Sequence, residues 1–401
     1  MDAVERDRIV LAGVVCAVLF AQVLLYPGAP DVVSALGGST NFDASQWFLA
    51  VEFVAFVLFA TVWGAASDAT GWRAPLIAAG AVGGAVGYLG LAALPSLGGA
   101  PFEVVLALRV VEGAMTVGAL SLAMAMLMDL PGGHGRNMGA AGIAIGIGVA
   151  TGSPIGGQLA ARDPLLVLVV AGGAMLAVGL AALLVVDRVP DGDRGEVREA
   201  LVSLSGTPEL AIPYAFGFID RLTAGFFALA GTFYFRDVFG LGPAERGIVL
   251  ALFFAPFALL QYPFGKLSDR IGRRVPIVGG SLAYGVAAMS VGLAGTLLGV
   301  QVAMVAVGVL GALMAPATMA LVTDLAAEDQ RGTAMGGFNI FGSLGFLAGI
   351  VAGETATLLG YRQAFLLVGG LEVAIALIAI VPLLRLDLPV EDVLGLDRWS
   401  R

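Results

Sequence analysis

Residues 64–75 read Gly64-Ala-Ala-Ser67-Asp68-Ala-Thr-Gly71-Trp72-Arg73-Ala-Pro75, and 201 positions later the chain reads Gly265-Lys-Leu-Ser268-Asp269-Arg-Ile-Gly272-Arg273-Arg274-Val-Pro276. A second pair accompanies the first: Asp129-Leu130 followed by Arg136 recurs, at an offset of 195, as Asp324-Leu325 followed by Arg331. Each kept residue has a physical use. Gly64 and Gly265 let two helix ends approach closely, as small residues do in a bilayer. Asp68 and Asp269 sit where a carboxylate caps a helix N-terminus or pairs with a nearby arginine. Gly71 and Gly272 permit a tight turn, and Pro75 and Pro276 open the next helix. The chain is therefore a duplication.

The composition says what is duplicated. Of 401 residues, 59% are hydrophobic and 13% charged, with mean hydropathy +0.94. A soluble domain carries roughly 25% charged residues to meet water. This chain cannot cover itself, which excludes a water-soluble enzyme, and the useful unit is the span of ~20 residues. Uncharged runs cover 9–30, 74–102, 137–161, 164–186, 247–265, 275–323 and 332–353. The longest must hold two helices, with its turn near 295–299. Adding the spans that carry isolated charges predicts twelve helices, starting near Ile9, Ala44, Pro75, Phe102, Asn137, Pro164, Glu209, Gly247, Val275, Gly299, Gly332 and Tyr361. Charged residues 2–8 precede a full-length first span without a clear small-residue cleavage site, so that span is expected to stay.

One cysteine, Cys16, and one histidine, His134, remove most site chemistry. A disulfide needs two cysteines and a zinc site needs three or four converging ligands. No nucleophile elbow, paired-histidine metal helix or phosphate-binding loop is present, so neither a catalytic residue, a bound metal nor a cofactor is expected. The net charge of −9 argues against a nucleic-acid partner, which selects basic faces.

Lysine and arginine set the orientation. With twelve spans, 15 of the 21 basic residues fall on the side holding both termini, 4 on the other, and Arg109 and Arg221 within spans. Both termini are expected in the cytoplasm of a plasma-membrane protein. A hydrophilic stretch splits the helices six and six. The expected domains are a bundle over 1–186, a cytoplasmic linker over 187–208, a second bundle over 209–385 and a tail over 386–401. Two parallel six-helix halves related by a pseudo-twofold are a transporter architecture. The expected class is all-α and multi-pass.

The duplicated loop resembles that of the major facilitator superfamily, in which it joins the second to the third and the eighth to the ninth helix. The resemblance covers nearly the whole chain. It implies that Gly64, Asp68, Gly71, Arg73, Asp129 and Arg136, with Gly265, Asp269, Gly272, Arg273, Arg274, Asp324 and Arg331, form a cytoplasmic gate, and that the carrier works as a monomer in the bilayer. The first copy departs from the second, with Ala69 and Trp72 where the second has Arg270 and Arg273.

The fourth span carries Arg109-Val-Val-Glu112-Gly113, similar to the family's R-x-x-Q-G segment associated with proton coupling, with Glu112 in place of glutamine. Arg109 and Glu112, three apart, share a helix face. Arg109 lies roughly 10 Å below the outer end of its helix at 1.5 Å per residue, and Glu52 a similar distance down the second. A Glu52–Arg109–Glu112 cluster is expected. Two carboxylates around one arginine cannot both ionise cheaply, so one should take up a proton. A static ion pair is the other reading. The fifth span, Gly148 to Gly157, resembles the G-x-x-x-G-P-x-x-G-G segment of drug/proton antiporters, with Ser153 at the usual proline. Gly148, Gly152, Pro154, Gly156 and Gly157 read either as that signature or as a smooth packing face.

Helix seven holds Asp220 and Arg221 among Phe216, Phe218, Phe226, Phe227, Phe233, Tyr234 and Phe235. The resemblance puts this helix on the cavity, making Asp220, Arg221, Phe226, Phe227 and, from helix eleven, Asn339 candidates for contact with substrate; the rings also fit core or lipid packing. Glu372 in helix twelve suits a structural partner. With few Asn or Gln inside the spans, the favoured cargo is apolar or amphipathic and cationic, because unmatched hydroxyls would be penalised. The expected activity is secondary transport by alternating access, powered by a proton gradient and exporting a hydrophobic or cationic small molecule. Its closest rival is an uptake symporter for an organic solute such as a carboxylate. A non-transporting membrane sensor is the third possibility.

Overall fold

Glycine ends the helices where the duplicated loop turns. The computed structural model describes residues 3–131, 134–187, 207–327 and 330–386. In it Gly71 and Gly272 adopt left-handed backbone, φ 68° and 80°, a region costing a residue with a Cβ about 1–2 kcal/mol. The Gly71 amide donates to the Ser67 carbonyl at 2.9 Å, closing the helix before it, and Pro75 and Pro276 lie in the first turns that follow.

The long helices are α1 (Ala3–Leu25), α2 (Phe42–Thr70), α3 (Ala74–Ala93), α4 (Phe102–Met128), α5 (His134–Arg162), α6 (Pro164–Ala182), α7 (Ala211–Phe226 and Thr232–Phe239), α8 (Pro243–Ile271), α9 (Arg274–Leu293), α10 (Leu297–Leu325), α11 (Arg331–Ala352) and α12 (Tyr361–Arg385). Eleven of them are long and apolar enough to cross a membrane. The seventh carries Asp220 and Arg221 and is divided by a π-helical turn, Phe227–Gly231. No strand occurs among the described residues. Leu58, Leu259, Tyr262 and Ile378 are 60–75% exposed, as apolar side chains facing lipid must be in a membrane fold whose backbone is satisfied by helices. The protein is an all-α, multi-pass membrane protein.

Two compact units emerge. The first comprises Met1–Glu196 and Phe226–Ala258, the second Val197–Gly225 and Leu259–Arg401. The end of α7 and the start of α8 thus pack with the first six helices. The predicted linker, apart from Asp187 and 207–208, and the tail beyond 386 lie outside the described residues.

In the first unit α1 packs against α4, α5 and α6, while α4 lies against α2 and α3. Small residues set the distances. A Cβ at Gly148 would meet the Cys16 carbonyl at 2.7 Å, and one at Gly152 would meet that of Phe20 at 3.0 Å. In the second unit α9 packs against α10 and α12, and Phe216, Ile277, Ala317, Leu321, Ala376 and Leu383 form a core there. Tyr214 of α7 donates to the Ala334 carbonyl of α11 at 2.7 Å.

Candidate functional site

The charged centre of the first unit is built on α2 and α4. Gly113 removes the side chain that would otherwise hold these helices apart: a Cβ there would stand 3.0 Å from the Glu52 carbonyl. That approach puts Glu52 opposite Arg109, and the helical i,i+3 spacing puts Glu112 beside it. Arg109 donates through Nη2 to Glu52 and through Nη1 to Glu112. All three side chains are fully buried.

Around them stands a shell of neutral groups. Thr116 donates to Glu112 Oε1 at 2.7 Å, and Gln22 of α1 reaches Glu52 Oε1 at 3.5 Å. The guanidinium carbon lies 4.9 Å from the Phe48 ring centre and 5.4 Å from that of Tyr88, an arrangement in which the ring quadrupoles attract the cation. Thr116 is four residues beyond Glu112 and Phe48 four before Glu52, so helical spacing could have found both. Tyr88 comes from α3, and no spacing along the chain points to it. Formally the cluster carries one positive and two negative charges with no access to water. A chemistry of proton uptake and release is within its reach, and a cation could replace that proton as charge balance.

The duplicated loops each clamp the third helix of their half to the fourth. Arg73, almost fully buried, donates to Asp129 at 2.6 Å. The backbone amides of Arg73 and Ala74 donate to the Asp187 carboxylate at 3.1–3.3 Å, so this acid caps α3 where the helix dipole favours negative charge. Sequence reasoning missed Asp187 because its partner lies 114 residues away. Asp68 is exposed and does not make that cap. In the second loop Arg273 donates to Asp269, to Ser268 at 2.7 Å and to Asp324 at 3.1 Å. Burial opposes its charge, yet the hydrogen bonds to the Asp269 and Asp324 carboxylates outweigh it and hold the guanidinium above its ordinary pKa. Arg274 donates to the Leu386 carbonyl, Arg331 to that of Thr323 and Arg136 to Glu5. Gly265 approaches Pro316, and Gly64 faces open space.

Helix α5 uses its glycines on two neighbours. Gly148, Gly152 and Gly156 lie against the α1 backbone, whereas Gly157 faces Gly247 of α8. Ser153 donates to the Gly247 carbonyl at 2.9 Å, and Pro154 lies within the helix. In the same unit Arg246, in the first turn of α8, donates to Asp31 at 2.5 Å, and its side chain is buried.

The candidate cavity residues separate. Phe226 and Phe227 are fully buried, with the Phe227 ring centre 5.8 Å from that of Phe253 at a tilt of 45°, so these rings do not line an open surface. Phe233 likewise packs on Phe42 at 5.0 Å. In the second unit Asp220 and Arg221 are partly exposed and Asn339 is exposed. Arg221 lies along α11 over Gly342.

The model of the Major Facilitator Superfamily matches residues 11–235 and 214–396. The chain belongs to this family. It is a multi-pass membrane protein. Among curated relatives, an uncharacterized major-facilitator-type transporter of Methanocaldococcus jannaschii is 29% identical over 41% of this chain and 43% of that protein. Multidrug resistance protein 2 of Bacillus subtilis is 31% identical over 39% of each chain. The matches thus span about two fifths of these relatives. The fold is similar to that of a bacterial homolog of the human lysosomal transporter Spinster, with TM-score 0.76 and 15% identity over 95% of this chain and 96% of that one.

Proposed function

We propose that this transporter exports hydrophobic or cationic small molecules across the plasma membrane in exchange for protons, acting as a monomer with both termini in the cytoplasm. The observation that carries the reading is the fully buried Glu52–Arg109–Glu112 cluster, whose formal charge of −1 is balanced when one carboxyl holds a proton. Uncompensated charge at membrane depth costs about 2.5–3.5 kcal/mol even by insertion scales. The proton must therefore leave only when a water path opens or another cation arrives. That conditional release is the logic of an antiporter. The multidrug resistance relative supports the cargo class, as does the scarcity of hydrogen-bonding side chains in the spans.

The test is proton flux in proteoliposomes loaded with a lipophilic cation such as ethidium. Glu52→Gln and Glu112→Gln should each uncouple export from proton entry while leaving the protein folded, because the amide mimics the protonated acid. Coupling unchanged in both variants defeats the reading. The rival, uptake of an organic carboxylate, rests on Arg221, partly exposed on α7. Accumulation of the anion together with protons, without ethidium export, would select it.

A further inference from the structure

The second unit holds a buried acid that the coupling cluster does not use. Glu372 lies midway along α12 and is fully buried. Helix α12 meets α9 on glycine: a Cβ at Gly285 would lie 2.6 Å from the Gly369 carbonyl. Across this seam the Ser281 hydroxyl and Glu372 Oε1 are hydrogen-bonded. The other carboxyl oxygen, Oε2, has no hydrogen-bond partner, and neither has the buried hydroxyl of Tyr284, one turn from Ser281 on α9. From α7, Thr223 faces the same carboxyl and Asp220 acts on it electrostatically, as it does on Tyr284. The charged or titratable groups around Glu372 are thus Asp220 and Tyr284, and Arg221 is turned along α11 over Gly342. Among the described residues no ion pair includes Glu372 or Asp220.

An ionised carboxylate buried without a counter-charge carries a penalty of several kcal/mol, and a second carboxylate nearby adds repulsion. A neutral carboxylic acid fits this place. Its O–H supplies the donor that a carboxylate lacks and its carbonyl accepts from Ser281. The buried Tyr284 hydroxyl, also without a partner, stands one turn from Ser281 on the same helix. We propose that Glu372 is a second proton-binding site, loaded in this conformation, and that the partly exposed Asp220 is the group through which its proton exchanges with water. The site stands on its own, whether or not the Glu52–Arg109–Glu112 cluster drives export.

Infrared spectroscopy of the purified full-length protein at neutral pH tests it. A protonated carboxyl has its own carbonyl stretch, shifted in D2O. Glu372→Gln should remove one such component, Glu52→Gln and Glu112→Gln should leave that component in place, and Asp220→Asn should slow its deuterium exchange severalfold. Should Glu372→Gln fail to fold, Ser281→Ala must shift the same component by removing the hydroxyl that donates to its carbonyl oxygen. A spectrum unchanged by Glu372→Gln, or unchanged by Ser281→Ala where that variant decides, overturns the proposal. So does loss of the component on adding Na+ at constant pH, which would mark a metal-cation site.

Discussion

Arg109→Met is expected to abolish transport and to destabilise the protein by about 3–5 kcal/mol, the range for removing one partner of a buried ion pair. The cause is what stays behind. Glu52 and Glu112 are fully buried and share this guanidinium, and without it two acids face each other in a medium that tolerates neither charge. Thermal unfolding in detergent measures the loss, and vesicle transport measures activity. The combined variant Glu52→Gln, Arg109→Met, Glu112→Gln should recover most of the stability, because apolar or neutral replacements of a buried ion cluster are often near neutral, while transport stays at background. Recovery of transport in that variant would make the cluster a structural ion pair.

Gly156→Ala is the second large effect, with an expected loss of about 1–3 kcal/mol, the usual range for overpacking. The new methyl would collide with the Leu24 carbonyl oxygen and stand 2.7 and 2.8 Å from the carbonyl carbon and Cα of the same residue. These are backbone atoms of α1, so no side chain can move aside. Gly142→Ala on the same helix is the control: nothing lies within 4 Å of its Cβ position, and alanine there should be neutral or stabilising by up to ~1 kcal/mol through helix propensity. Equal melting temperatures for the two variants would show that α5 and α1 do not depend on this contact.

The Glu52–Arg109–Glu112 cluster was legible in proportion to how local its geometry is. Arg109 and Glu112 share a face through helical spacing alone, and counting 1.5 Å per residue brings Glu52 to a similar depth. Tyr88 was not legible, because its meeting with Arg109 depends on the rotation of α3 about its axis. The same holds for Asp187 at the start of α3, for Asp31 beside Arg246, and for Ser281 against Glu372. Phe227 shows the converse: the helix that carries it was identified, but the π turn that begins there and its meeting with the ring of Phe253 were not.

By itself the sequence determined the number of spans, the duplication, the loops that turn between helices and the ionisable residues placed within the spans. All of these follow from run length, spacing and residue chemistry along one dimension. Only the tertiary structure decided which faces meet. Helices that are apolar on every side carry no stripe pointing toward the protein, and in lipid the choice falls to glycine clearances and a few polar contacts between segments far apart in the chain.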